Sequence, residues 1–104
     1  MENKFLPIGT VVQLKDATAR VMIAGYFPIS AGQPDRVWDY SGFKFPIGYV
    51  NDDEVYCFDQ DQIEMICVYG YQDLEQMEFM DYLMSQEQDI RKKIADGAAG
   101  NNEE

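Results

Sequence analysis

Between Phe45 and Ile90 the chain carries twelve acidic residues and not one Lys or Arg. Carboxylates this concentrated suit two kinds of chemistry: binding a divalent cation, or working in pairs as general acid and base. The piece Asp59-Gln60-Asp61-Gln62-Ile63-Glu64 has the oxygen donors of a calcium loop. A loop of the EF-hand kind needs ligands at alternate positions, Gly at the sixth and Glu at the twelfth. Glu64 occupies the sixth position and an aliphatic run follows, so that turn cannot be made. A solvated acidic rim is the simpler reading. Glycosidase chemistry needs a cleft holding a sugar between two carboxylates, and a 104-residue chain with a small sheet offers little room for one. We assign no catalytic residue, no metal ligand and no cofactor, and expect a protein that is not an enzyme.

The other reactive side chains narrow the field further. There is no histidine, which excludes a Ser/His/Asp triad, a Cys/His nucleophile and a histidine-ligated zinc. Cys57 and Cys67 lie in apolar, strand-like runs and are expected to be reduced residues of the core. Eight basic against nineteen acidic residues give a net charge of −11. Phosphate backbones are bound by clustered Lys and Arg, so neither nucleic acid nor an anionic membrane is an expected partner. A basic protein or a cation would be attracted instead. Apolar runs of four or five residues are far short of the roughly 20 that span a bilayer. No basic segment followed by a long apolar stretch opens the chain, and the expected location is the cytoplasm.

The length suits one domain, expected over residues 1–96, with the sheet in 6–71, a helix in 73–96 and a disordered tail in 97–104. Leu6-Pro7-Ile8-Gly9 shapes the start of a first strand through Leu14. Asp16–Ala19 connects it to a second, Arg20–Phe27, whose residues are apolar on both faces and therefore suit the middle of a sheet. Pro28–Val37 has loop composition. A third strand is expected over Val37–Phe45, with Gly42 marking a bulge or a close backbone approach. Pro46-Ile47-Gly48 repeats Pro7-Ile8-Gly9, which we read as two similar turns rather than a duplication. A short strand follows at Val55–Phe58 and a longer one at Ile63–Tyr69.

From Asp73 the apolar period changes from two to 3.6. Asp73 is a suitable N-cap with Gln76 in capping-box position, and Gly97 a reasonable stop. On a helical wheel Leu74, Met77, Met80 and Met84 share one arc; Phe79, Leu83, Ile90 and Ile94 share the next; Tyr82 stands apart. Methionine fills irregular cores and also adapts to partner helices. The 22 residues from Leu74 to Ala95 would extend about 33 Å, more than a small five-strand sheet needs for cover. That length favours a partner, with Met77, Met80, Tyr82 and Met84 as its binding residues.

Taken together, Leu6–Lys15, Arg20–Gly25, Trp38-Asp39-Tyr40-Ser41-Gly42, Phe45-Pro46-Ile47-Gly48, Phe58, Asp61-Gln62-Ile63 and Gly70-Tyr71 resemble a bacterial family known as domain of unknown function 4176. The resemblance covers roughly residues 6 to 83 and brings no catalytic residues. It implies a small cytoplasmic product of a Gram-positive bacterium, encoded beside type VII secretion genes and their LXG toxins. It further implies an adaptor, targeting factor or chaperone that binds the helical N-terminal domain of a secreted toxin. The alternatives are an immunity protein covering the toxin's catalytic domain and a module for a small ligand or cation. The expected fold is α+β: a small curled, mostly antiparallel sheet of about five strands, then one long C-terminal helix. Oligomeric state is left open.

Overall fold

The computed structural model describes residues 5–30 and 33–100. The chain runs through β1 (Val11–Leu14), β2 (Arg20–Tyr26), β3 (Ile29–Ser30), β4 (Gln33–Val37), β5 (Tyr40–Phe45), β6 (Val55–Phe58), β7 (Ile63–Val68) and α1 (Leu74–Gly100). Short 3-10 turns at Asp52–Glu54 and Gln60–Gln62 lead into β6 and β7. Five strands make one antiparallel sheet in the order β6-β5-β2-β1-β7, while β3 and β4 pair separately. The architecture is α+β, as expected, and the sheet is open, with β6 and β7 as its edges. The doubly apolar β2 is the middle strand, hydrogen-bonded to β1 on one side and β5 on the other.

Strand alternation gives the sheet two unlike faces. On one, Val12, Leu14, Val21, Ile23, Tyr40 and Phe58 are buried and form a single core with Met80 and Leu83 of α1. Burying each such side chain contributes roughly 1.5–3 kcal/mol. On the other, the ladder aligns Val11, Met22, Phe43 and Val55 in a row across four strands, with Val68 beside Val11. A second row carries Met65, Gln13, Arg20 and Phe45. Among the described residues no helix covers this face.

The helix turns to the sheet a stripe that straddles the two wheel arcs rather than coinciding with either. Between Leu74 and Lys93 the buried or half-buried positions are Gln76, Met80, Leu83, Met84, Gln86, Glu87, Ile90 and Arg91, while Leu74 and Phe79, one from each arc, are 70% and 48% exposed. The contact line therefore runs between the two arcs. Asp73 caps the helix as expected, accepting from the backbone N–H of Gln76 at 2.8 Å. The reciprocal half of the capping box is absent, because the Gln76 side chain turns inward and its buried Oε1 has no partner among the described residues. The helix also passes through Gly97 to Gly100. One glycine costs only about 1 kcal/mol in a helix, and Ala98 and Ala99 follow it. The tail expected from residue 97 thus begins inside α1, and 101–104 lie outside the described residues.

Three other expectations change. The Pro28–Val37 loop holds the β3–β4 hairpin, and β4 packs against α1. This second platform accounts for a helix that outruns the five-stranded sheet. Phe5, expected in a frayed lead-in, is 2% exposed and meets Tyr26, Phe27 and Tyr40 edge-on. Leu6 is pinned beside it: its N–H donates to the Tyr40 hydroxyl at 2.9 Å, and the Tyr26 hydroxyl donates to its carbonyl. The cysteines are free but not in the core. Cys57 is half-buried on β6 and Cys67 exposed on β7, at opposite edges of the sheet and about 19 Å apart at 4.8 Å per strand. Burial pushes the Cys57 thiol pKa up, away from thiolate reactivity.

The two Pro-Ile-Gly segments do share their physics. Gly9 and Gly48 have φ of 91° and 82°, the left-handed region that glycine enters without cost. Gly42 marks a close approach rather than a bulge: a Cβ there would stand 2.6 Å from the Met22 carbonyl oxygen. The bulge falls across the ladder in β2, between Ile23 and Gly25.

Candidate functional site

Two of the carboxylates that suggested chemistry, Asp59 and Glu87, join Asp39 in a polar knot between the sheet, the hairpin and the helix. Asp39, in the link between β4 and β5, accepts from the Arg91 guanidinium through Oδ1 and from the Gln60 N–H through Oδ2 at 2.8 Å. Asp59 accepts from the Asp39 N–H through Oδ1 at 2.9 Å and from Arg36 through Oδ2. Arg91 also donates to the Val37 carbonyl at 2.7 Å and to Glu87, one helical turn back, at 3.0 Å. Its guanidinium lies 5.0 Å from the centre of the Phe27 ring. These groups line an open depression of about 410 Å³. Charge-assisted bonds of this kind fix geometry strongly. Both oxygens of Asp39 and of Asp59 are committed to holding the 3-10 turn at Gln60–Gln62, the hairpin and α1 together. Among the described residues no group of three or more Cys, Asp or Glu is placed to hold a metal ion.

The four residues expected to bind a partner separate. Met80 is 1% exposed and sits in the core, and Met84 is half-buried against it; Met80 has no surface to offer and Met84 only part of one. Both lie on the inward stripe, on the side of the first arc that borders the second. Met77 and Tyr82 are 45% and 58% exposed. Five residues apart, they point about 140° from one another around the axis, so they do not form one contact.

Tyr82 does belong to a surface. Its ring stacks on Phe79 at 6.4 Å, and Phe79 leans on Tyr26. Phe79, Ile8, Tyr71, Asp73, Glu75 and Gln76 line a shallow groove of about 500 Å³ at the start of α1. Ile8 and Tyr71 are 47% and 78% exposed. The groove is thus aromatic along its floor and acidic along its edge. Tyr71 and Ile8 were invisible to periodicity because they come from the loops that enter β1 and leave β7, side by side at one end of that antiparallel pair. Phe79 carried a signal, its three-residue spacing from Tyr82, which its place on an inward arc obscured.

The class this defines is an α+β protein with one helix on an open antiparallel sheet, tied together by the ion pairs of Arg36, Asp39, Asp59, Glu87 and Arg91. A family model, domain of unknown function DUF4176, matches residues 5–79, and the chain belongs to that family. No curated protein and no solved structure matches it. No helix among the described residues is long and apolar enough to cross a membrane.

Proposed function

We propose that this protein is a non-enzymatic accessory factor that binds another protein through the aromatic groove at the start of α1. The observation that carries this reading is the cluster Ile8, Tyr71, Phe79 and Tyr82, each about half exposed or more, beside Asp73 and Glu75. Contiguous exposed apolar surface rimmed by polar groups marks interaction sites. Aromatic side chains give large contact area at small entropic cost. An acidic edge favours an amphipathic helix with basic flanks, drawn in by charge and held by apolar contact.

The resemblance to DUF4176 proteins encoded beside type VII secretion genes supplies the partner class. On this reading the occupant is the helical N-terminal domain of an LXG toxin, met in the cytoplasm before export, and the protein acts as adaptor, targeting factor or chaperone. Co-purification with the two halves of a toxin encoded nearby tests it. Capture of the N-terminal half, lost in a Tyr71→Asp plus Tyr82→Asp variant that keeps its melting temperature, is the expected result. Capture of the C-terminal toxic half alone would instead make the protein an immunity factor. Undiminished capture of the N-terminal half by the variant would remove the groove from the account.

A further inference from the structure

The face of the sheet opposite α1 is apolar and wide, with one carboxylate bonded at its margin, where Asp52 accepts from the Tyr49 hydroxyl at 2.8 Å. Met22, Phe43 and Val55 are half-buried along its central row. Tyr49 folds back over Phe43, ring centres 5.5 Å apart. Phe45, Tyr49, Met65 and Val68 are 37%, 58%, 56% and 56% exposed. With 150–250 Å² for a whole aromatic side chain and less for Met and Val, these exposed fractions and the half-buried central row present on the order of 500 Å² of apolar surface. That is near the upper end of what a monomer leaves in one patch.

Its charge sets it apart from the rest of the molecule. The chain has nineteen acidic residues, yet no ladder position on this face is Asp or Glu; Glu64 falls at a register shift of β7, outside the paired positions. The charged residue that is present, Arg20, lies with its guanidinium 5.2 Å from the centre of the Phe45 ring. Loss of acids with gain of Phe, Met and Arg is the composition of a buried interface core.

We infer that this face pairs with the same face of a second copy, giving a two-fold dimer in which two sheets stack and the helices point outward. A molecule of net charge −11 meets itself at least cost where carboxylates are fewest, since like charges set against each other cost several kcal/mol; here Asp52 stands at the margin and none lies in the ladder. The face is self-complementary in character, as an isologous contact requires. Two twisted sheets pack stably about 10 Å apart through such apolar rows. Apolar atoms make up a little over half of a typical interface. Two such faces would therefore bury about 1,750 Å² in total, within the standard range for a specific complex. The groove at the start of α1 stays open on the outside of the dimer.

Sedimentation equilibrium of the full chain tests the inference over roughly 1–100 µM, the range in which a modest interface shows its dissociation constant. The expected mass is about 24 kDa, twice the 12.0 kDa chain. Met65→Glu plus Val68→Glu places carboxylates at one end of the band and Phe45→Glu places one at the other. Each is expected to raise the dissociation constant at least tenfold with an unchanged circular dichroism spectrum. Should one variant lose its fold, the wild-type mass and the other variant decide. A wild-type mass of 12 kDa throughout would overturn the inference, as would a dimer that both folded variants leave intact or one that Tyr82→Asp alone dissolves.

Discussion

Met22 and Ile23 are neighbours on the same strand, and the sheet treats them in opposite ways. Ile23 is fully buried beneath α1, while Met22 faces away from the helix and is only half-buried. The contrast extends over the whole sheet: one face spends its apolar residues on folding, and the other carries nearly as many that the single chain does not need to bury. The helix repeats the division, with Met80 inside and Phe79 and Tyr82 out. Hydrophobic residues that folding leaves exposed in an acidic chain are the ones available for association, and here they fall on two separate surfaces.

The sharpest way to break this division is Met80→Asp. A carboxylate forced into the core without a partner should cost about 4–5 kcal/mol or more, enough to abolish cooperative urea unfolding in a domain of this size. Tyr82→Asp, two residues away, should stay within about 0.5 kcal/mol of wild type. Next in size is the pair on β2, compared in the Met65→Glu plus Val68→Glu background so that self-association does not intrude. Ile23→Ala should cost about 2–5 kcal/mol, and Met22→Ala about 1 kcal/mol or less, read from urea midpoints at constant m-value. Equal losses would mean that both faces are core.

Arg91→Met should cost about 1.5–3 kcal/mol, because it strips charged hydrogen bonds from a partly buried site. A double-mutant cycle with Asp39→Asn should recover a coupling energy above about 0.5 kcal/mol; additivity would show that the knot does not tie the helix to the sheet.

The smallest expected effect is alkaline. Burial pushes the Tyr26 hydroxyl up to about 12 and shifts Tyr40 further the same way, from an ordinary value near 10. The folded chain then holds protons that the unfolded chain would release. Their contribution is complete below about pH 10 and declines as pH rises through roughly 10–12. Tyr26→Phe should flatten that decline, measured as melting temperature against pH.

Much of this arrangement was legible in the residues. The hairpin at β1–β2, the central place of β2, the Asp73 cap and the change of period at the helix follow from local chemistry. The β3–β4 hairpin did not, because Pro28, Gly32 and Pro34 read as loop and its pairing is fixed by packing on α1. The inward stripe of the helix was also hidden. Glu87 and Arg91 look solvent-facing until Asp39 and the Val37 carbonyl are brought to them from more than fifty residues away. The groove escaped for the same reason, since Ile8, Tyr71 and Phe79 meet only once β1 and β7 pair.

The central claim is that the groove beside α1 receives the partner while the opposite sheet face does not. Calorimetric titration of the toxin's helical N-terminal domain into the two double variants tests it directly. Tyr71→Asp plus Tyr82→Asp should weaken binding at least a hundredfold, about 2.7 kcal/mol, and Met65→Glu plus Val68→Glu should leave the affinity unchanged. Loss of binding in the sheet variant with full affinity in the groove variant would contradict the account.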